Sequence, residues 1–111
     1  MSALDKYVLD EAGRPVAEPD LLRWARWFET SHRQRVLACT KADSDVSVST
    51  VFLGINLRFF SGCGSPVLWE TMIFGGPHDG DMWRYDSREA ALAGHAAAVE
   101  LAKAAYGSTG E

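Results

Sequence analysis

The sequence is poor in the features that announce chemistry or location. It holds two cysteines, Cys39 and Cys63, far apart and outside any CxxC pair. That pattern gives neither a disulfide framework nor a zinc site, and two free thiols in a reducing cytosol is the plain expectation. No apolar run reaches the roughly 18 residues of a membrane span. The opening MSALDKYVLD lacks the apolar core of a signal peptide, so the expected location is cytoplasmic. Positive charge is also scarce: 11 Lys and Arg stand against 15 Asp and Glu, for a net charge of −4. The deficit is uneven, since residues 1–41 carry seven basic and six acidic side chains and residues 42–111 carry four and nine. An acidic chain is repelled by nucleic acid unless it gathers a basic patch. The one candidate, Arg23, Arg26, His32, Arg33 and Arg35, reads as a solvated helix face, and nucleic acid is not an expected partner.

What the chain does have is apolar and aromatic mass: four Trp, five Phe and three Tyr in 111 residues, with 47% hydrophobic content. That length suits one domain, 1–111, with a single core and a frayed tail at 107–111. Lys6–Asp10 reads as a short strand, followed by the turn residues EAGRP and an extended return at Val16 and Ala17. Glu18-Pro19-Asp20 marks a helix start. In the helix over 20–31, Leu21, Trp24, Ala25 and Phe28 share one face, which leaves Trp27 on its flank. Strands are expected at 35–40, 46–55, 67–74 and 81–85, with NLRFFSGCGSP (56–66) as the long loop. Asp86-Ser87-Arg88-Glu89 is a capping box for a last helix that runs to about Tyr106 and stops at Gly107. Leu92, His95, Val99, Ala102 and Tyr106 form its stripe, and the alanines around them let its backbone approach a sheet. The expected fold is α+β: an antiparallel sheet of four to six strands with two helices on one face, a two-layer sandwich.

The conspicuous motif is FGGPHDGD, residues 74–81. Proline presets the φ of a turn and Gly80 supplies a positive φ, so the motif is a hairpin turn centred near Pro77-His78. That centre sets Ile73 opposite Met82, Thr71 opposite Arg84 and Glu70 opposite Tyr85. A metal reading would use His78, Asp79 and Asp81, but three ligands on one tight turn converge poorly. The motif also lacks the spacing of an EF-hand and the lysine of a phosphate loop. Neither a metal nor a cofactor is expected.

Glu70 interrupts the apolar run VLWETMIF. If its face is core, it is buried and must be paired or protonated. If its face is solvated, Trp69 and Ile73 are the core side, and Leu68, Met72, Phe74 and Trp83 make an exposed apolar stripe of the kind that marks a partner surface. His95 reads as a satisfied core or boundary histidine. Cys63, in SGCGS, lacks the neighbouring cation or helix N-terminus that activates a thiol. No set of side chains converges on catalysis, so no catalytic residues are assigned.

Three stretches, VSTVFLGI (48–55), ETMIFGGPHDGDMWRY (70–85) and EAALAGHAAAV (89–99), resemble small proteins of bacteriophages and prophages. Those share an S-T-V-F-L-G strand, an E-T-M-[IV]-F-G-G-P hairpin and an E-A-x-x-G-H helix. The resemblance spans roughly residues 20–100 and implies an accessory protein that binds a host protein, with inhibition of a bacterial defence system as the finer expectation. The partner-binding candidates are Glu70, Met72, Phe74, His78, Asp79, Asp81 and Trp83, and a homodimer is a further expectation; no membrane contact is expected. The competing expectations are a small metal-dependent or hydrolytic enzyme using Glu70, His78 and Asp79, with His95 as a further histidine for that site, or a phage structural or assembly component.

Overall fold

Val46–Phe52 alternates large apolar or β-branched residues with small polar ones, the period of a strand buried on one side. In the computed structural model, which describes residues 5–56 and 65–109, Val46, Val48, Thr50 and Phe52 are buried and Ser47, Ser49 and Val51 are half-exposed. This strand, β4, is central in a four-stranded antiparallel sheet. The order is β3 (Val36–Asp43), β4, β5 (Trp69–Phe74) and β6 (Met82–Tyr85). The chain is therefore α+β, as its sequence pattern implies.

The long helix α3 (Arg88–Thr109) lies on one face of that sheet. It starts where Ser87 Oγ accepts the amide of Ala90 at 3.0 Å, and it runs through Gly107 instead of stopping there. Buried Ala91, Ala98 and Ala102 bring it close to the strands. The core beneath it is in two parts. Val46, Val48 and Ile73 meet Ala98, Val99 and Ala102 at one end; Phe52, Leu68 and Trp69 meet Leu9 and Ala91 at the other. Burying each large side chain here contributes about 1.5–3 kcal/mol.

The N-terminal segment closes the second part of the core. A two-stranded hairpin, β1 (Tyr7–Leu9) and β2 (Pro15–Ala17), turns on Asp10, whose carboxylate accepts the amides of Ala12 and Arg14 at 2.9 Å. The bond from the Arg14 amide is the leading reason that the Asp10 pKa lies below its ordinary value. Helix α1 (Leu21–Thr30) is capped by Asp20, which accepts the Arg23 amide, and a short α2 (His32–Arg35) leads into β3. The Trp24 indole donates to the carbonyls of Tyr7 and Gly54 at 3.1 and 3.0 Å, and the Trp27 ring meets Phe52 edge-on at 5.9 Å. Trp27 is thus a packing residue and not a flanking one. Leu21 and Leu22, in the first turn of α1, are exposed.

The β5–β6 register differs by one residue from that expected of a turn centred at Pro77-His78. Glu70 pairs with Arg84, Thr71 with Trp83 and Met72 with Met82. The cause is Gly80, at φ +89°. Its amide bonds the Ile73 carbonyl while the Ile73 amide bonds the Asp81 carbonyl, so two residues oppose one in a glycine-led bulge. A slip of one residue changes faces. Trp83 therefore lies on the α3 side, away from Met72 and Phe74. Leu68, just ahead of β5, is buried in the core and does not join the exposed stripe.

Gly94 faces β6. A β-carbon there would overlap the Tyr85 phenol, which lies against the helix backbone. In an open helix position, Gly→Ala would stabilise by roughly 0.5–1 kcal/mol. Here the sign is expected to reverse: Gly94→Ala should lower stability by about 1–3 kcal/mol, the usual effect of overpacking. Urea denaturation of the two proteins checks this, and a gain in stability would show that Tyr85 has another place to go.

Candidate functional site

The face of the sheet opposite α3 is the candidate surface. Glu70, Met72 and Phe74 project there from β5, with Ser47, Ser49 and Val51 beside them on β4 and Met82 and Arg84 on β6. Cys39 and Lys41 lie on its β3 margin, both exposed. Glu70 is paired: the Arg84 guanidinium Nε donates to its Oε2 at 3.0 Å. At the rim Phe74 is 48% exposed and Met82 41% exposed, with half-buried Met72 between them. The result is a small apolar patch against a fixed ion pair. Met82 and Arg84 belong to this face through the bulge at Gly80, which is why the sequence pattern alone did not place them.

The loop that carries His78, Asp79 and Asp81 spends its polar groups on itself. Asp79 Oδ1 accepts the Gly75 amide at 2.6 Å, and His78 Nδ1 lies 3.0 Å from Asp81 Oδ2. Gly75, at φ +92°, packs so tightly on the Asp45 carbonyl that no β-carbon fits. Among the described residues, no three His, Cys, Asp or Glu side chains gather as metal ligands. The structure does not bring Glu70 together with His78 and Asp79: the glutamate is held by Arg84, and the loop carboxylate of Asp79 caps Gly75. His95 is farther still, since it lies on the opposite face of the sheet.

His95 sits in the seam between the two halves of the core. It is 7% exposed. Its Nε2 is 2.8 Å from Thr40 Oγ1 and its Nδ1 is 2.8 Å from Thr50 Oγ1, which in turn is 2.5 Å from Thr71 Oγ1. Hydroxyls both donate and accept, so either neutral tautomer of the ring is satisfied by this row. Burial lowers its pKa and keeps the ring neutral. The histidine is a core residue, as its place on the helix stripe implies. The three threonines of this row, two bonded to the ring and Thr71 bonded to Thr50, come from three different strands and had no signal of their own beyond strand positions in RVLACT, STVF and ETMI.

The basic run of the first helix is divided by the fold. Arg23, Arg26, His32 and Arg33 are exposed, whereas Arg35 stacks its guanidinium 3.7 Å above the Phe28 ring. The Nε of Arg35 is buried without a hydrogen-bond partner, and desolvation lowers its pKa. Cys63 and the phenylalanines of the 56–66 loop lie outside the described residues. Among the described residues no helix is long and apolar enough to cross a membrane. No protein-family model matches this chain, and no curated protein or solved structure matches it.

Proposed function

We propose that this protein is a non-enzymatic binding module that engages a protein partner through the open face of its sheet. The observation that carries the reading is the uncovered apolar group of Phe74, Met82 and Met72 beside the Glu70–Arg84 pair. A group of large apolar side chains left half in water at the rim of a pleated face is a common mark of an interaction surface. The resemblance to phage and prophage proteins makes a host protein the expected partner and interference with a host defence system the expected consequence. The polar loop of His78, Asp79 and Asp81 borders the patch and would form its acidic rim.

The test is a comparison of immobilised wild-type protein with Phe74→Asp. The substituted side chain is already exposed, so the variant is expected to keep the wild-type melting temperature. The wild type should retain a host protein that the variant loses at least about tenfold, the effect of removing a contact worth roughly 1.4 kcal/mol. Equal retention by both proteins, or retention of nothing by the wild type, overturns the reading.

A further inference from the structure

The two edges of the sheet are built differently. Along β3 the pairing with β4 is irregular between Val36 and Ala38 and again between Lys41 and Asp43, and Lys41 is exposed. Bulges and lysines on an edge strand keep a further strand from adding. Edge β6 has its bulge ahead of the strand, at Gly80, and neither device within Met82–Tyr85. Its pairs run from Trp69–Tyr85 to Met72–Met82 without a shift, and its sequence MWRY holds no proline or lysine. Its single charge, Arg84, is turned to Glu70.

Backbone directions follow from one bond. The Ile73 amide donates to the Asp81 carbonyl at 3.0 Å, so Asp81 faces β5. In an antiparallel ladder this orientation repeats every second residue, so Trp83 and Tyr85 face β5 as well. Met82 and Arg84 thus direct their N–H and C=O groups outward along the free edge. Above that edge, α3 turns a charge-free flank of Ala90, Ala97 and Leu101, all exposed, while Glu89, Glu100 and Lys103 lie on its other sides. Between strand and helix runs an apolar groove of about 200 Å³, lined by Trp83, Tyr85, Gly94, Ala97, Ala98 and Leu101.

We propose that β6 pairs antiparallel with β6 of a second copy about a two-fold axis at Trp83, making one eight-stranded sheet. In such a pair opposed residues share a face, and the charges select the register. An axis at Arg84 would oppose two guanidinium groups. An axis at Met82 would set Arg84 against Gly80, whose amide is already bonded to the Ile73 carbonyl. With the axis at Trp83, Met82 faces the partner's Arg84 and all the outward amides and carbonyls of both residues find mates. The two Trp83 side chains then meet at a non-hydrogen-bonded position, where cross-strand side chains are closest. The surface is self-complementary: Trp83 meets Trp83, donors meet acceptors, and no like charges are opposed. This pairing does not depend on the binding surface of the open face, although it would join the open faces of two copies.

Sedimentation equilibrium over a wide concentration range tests the pairing. The wild type should weigh twice the chain mass. Met82→Pro removes an outward N–H without taking a bond from β5, a place where an edge strand tolerates proline. It is expected to weaken association at least about tenfold with an unchanged circular dichroism spectrum. Trp83→Lys sets two ammonium groups at the axis and should do the same. Amide exchange at Met82 and Arg84 should be slow in the concentrated wild type and fast on dilution, which decides the matter even if a variant fails to fold. A wild type that stays monomeric throughout, fast exchange at both amides in the concentrated protein, or a dimer that survives both substitutions, overturns the proposal.

Discussion

Replacing His95 with alanine is expected to lower folding stability by about 3–5 kcal/mol, the sum of a cavity and of two lost hydrogen bonds to threonine hydroxyls. The ring fills the seam under α3 and bonds both Thr40 and Thr50, so its loss takes the bond from the half-buried Thr40 hydroxyl and leaves the buried Thr50 hydroxyl only its bond to Thr71. Removing the ring together with its two buried hydroxyls should be gentler. Thr50→Val and Thr71→Val combined with His95→Leu leave fewer orphaned groups, and the triple variant should lose less than the sum of its parts. The same ring gives the fold a pH dependence of known sign. Burial holds the native pKa below the unfolded value of about 6.5. Below that pH the unfolded chain takes up a proton that the native state refuses, so stability falls on acidification from near pH 6.5 down to the native pKa and is retained above it. Urea midpoints followed from about pH 8 to about pH 5 should show this slope in the wild type and not in His95→Ala. Parallel slopes in the two proteins would assign the acid sensitivity to other groups.

Much of the fold is legible in the residues because local period and tertiary burial agree. Val46–Phe52 alternates and becomes the central strand; the alanine-rich 88–109 segment becomes the helix that covers it. Disagreement arises where a single residue changes the geometry. Gly80 inserts a bulge, and that alone moves Trp83 to the helix side and puts Arg84 opposite Glu70. In α1 the stripe of Leu21, Trp24, Ala25 and Phe28 is real, but the helix meets only the end of the sheet. It docks through Trp24, Trp27 and Phe28 and leaves Leu21 and Leu22 in water. The candidate surface was half visible for the same reason: Glu70, Met72 and Phe74 follow from alternation, while Met82 and Arg84 needed the bulge. The stretches 48–55, 70–85 and 89–99 supply Thr50, Thr71, Gly75, Gly94 and His95. Each has a structural reason to be what it is: a hydroxyl or ring of the buried row, or a glycine where a β-carbon would strike Asp45 or Tyr85. Those five residues therefore report how the chain folds, whereas Glu70, Met72, Phe74, Met82 and Arg84, from the same hairpin stretch, point to the open face.

Phe52→Ala should be the most damaging apolar substitution in the second half of the core, at about 3–5 kcal/mol. The ring is 1% exposed and is gripped from both sides, by Trp27 edge-on and by Trp69 with centroids 5.6 Å apart. Such aromatic pairs add about 0.5–1.5 kcal/mol beyond burial. The consequence should also be spatially uneven. Trp27 belongs to α1, whose other ties to the sheet are the Trp24 indole and the Phe28 contact at Gly54, so the N-terminal hairpin and α1 lose a main anchor. The far half, Val46, Val48 and Ile73 under Ala98 and Ala102, keeps all of its contacts. Native-state amide exchange should therefore show protection falling more in residues 7–30 than in β4 and β5 near Val48 and Ile73. A uniform loss would mean that the two halves unfold as one unit and that the polar row of His95 couples them instead of dividing them. Because Phe52 points away from Glu70, Met72 and Phe74, the folded fraction of this variant should keep the open face intact, which separates the stability of the protein from the surface proposed for binding.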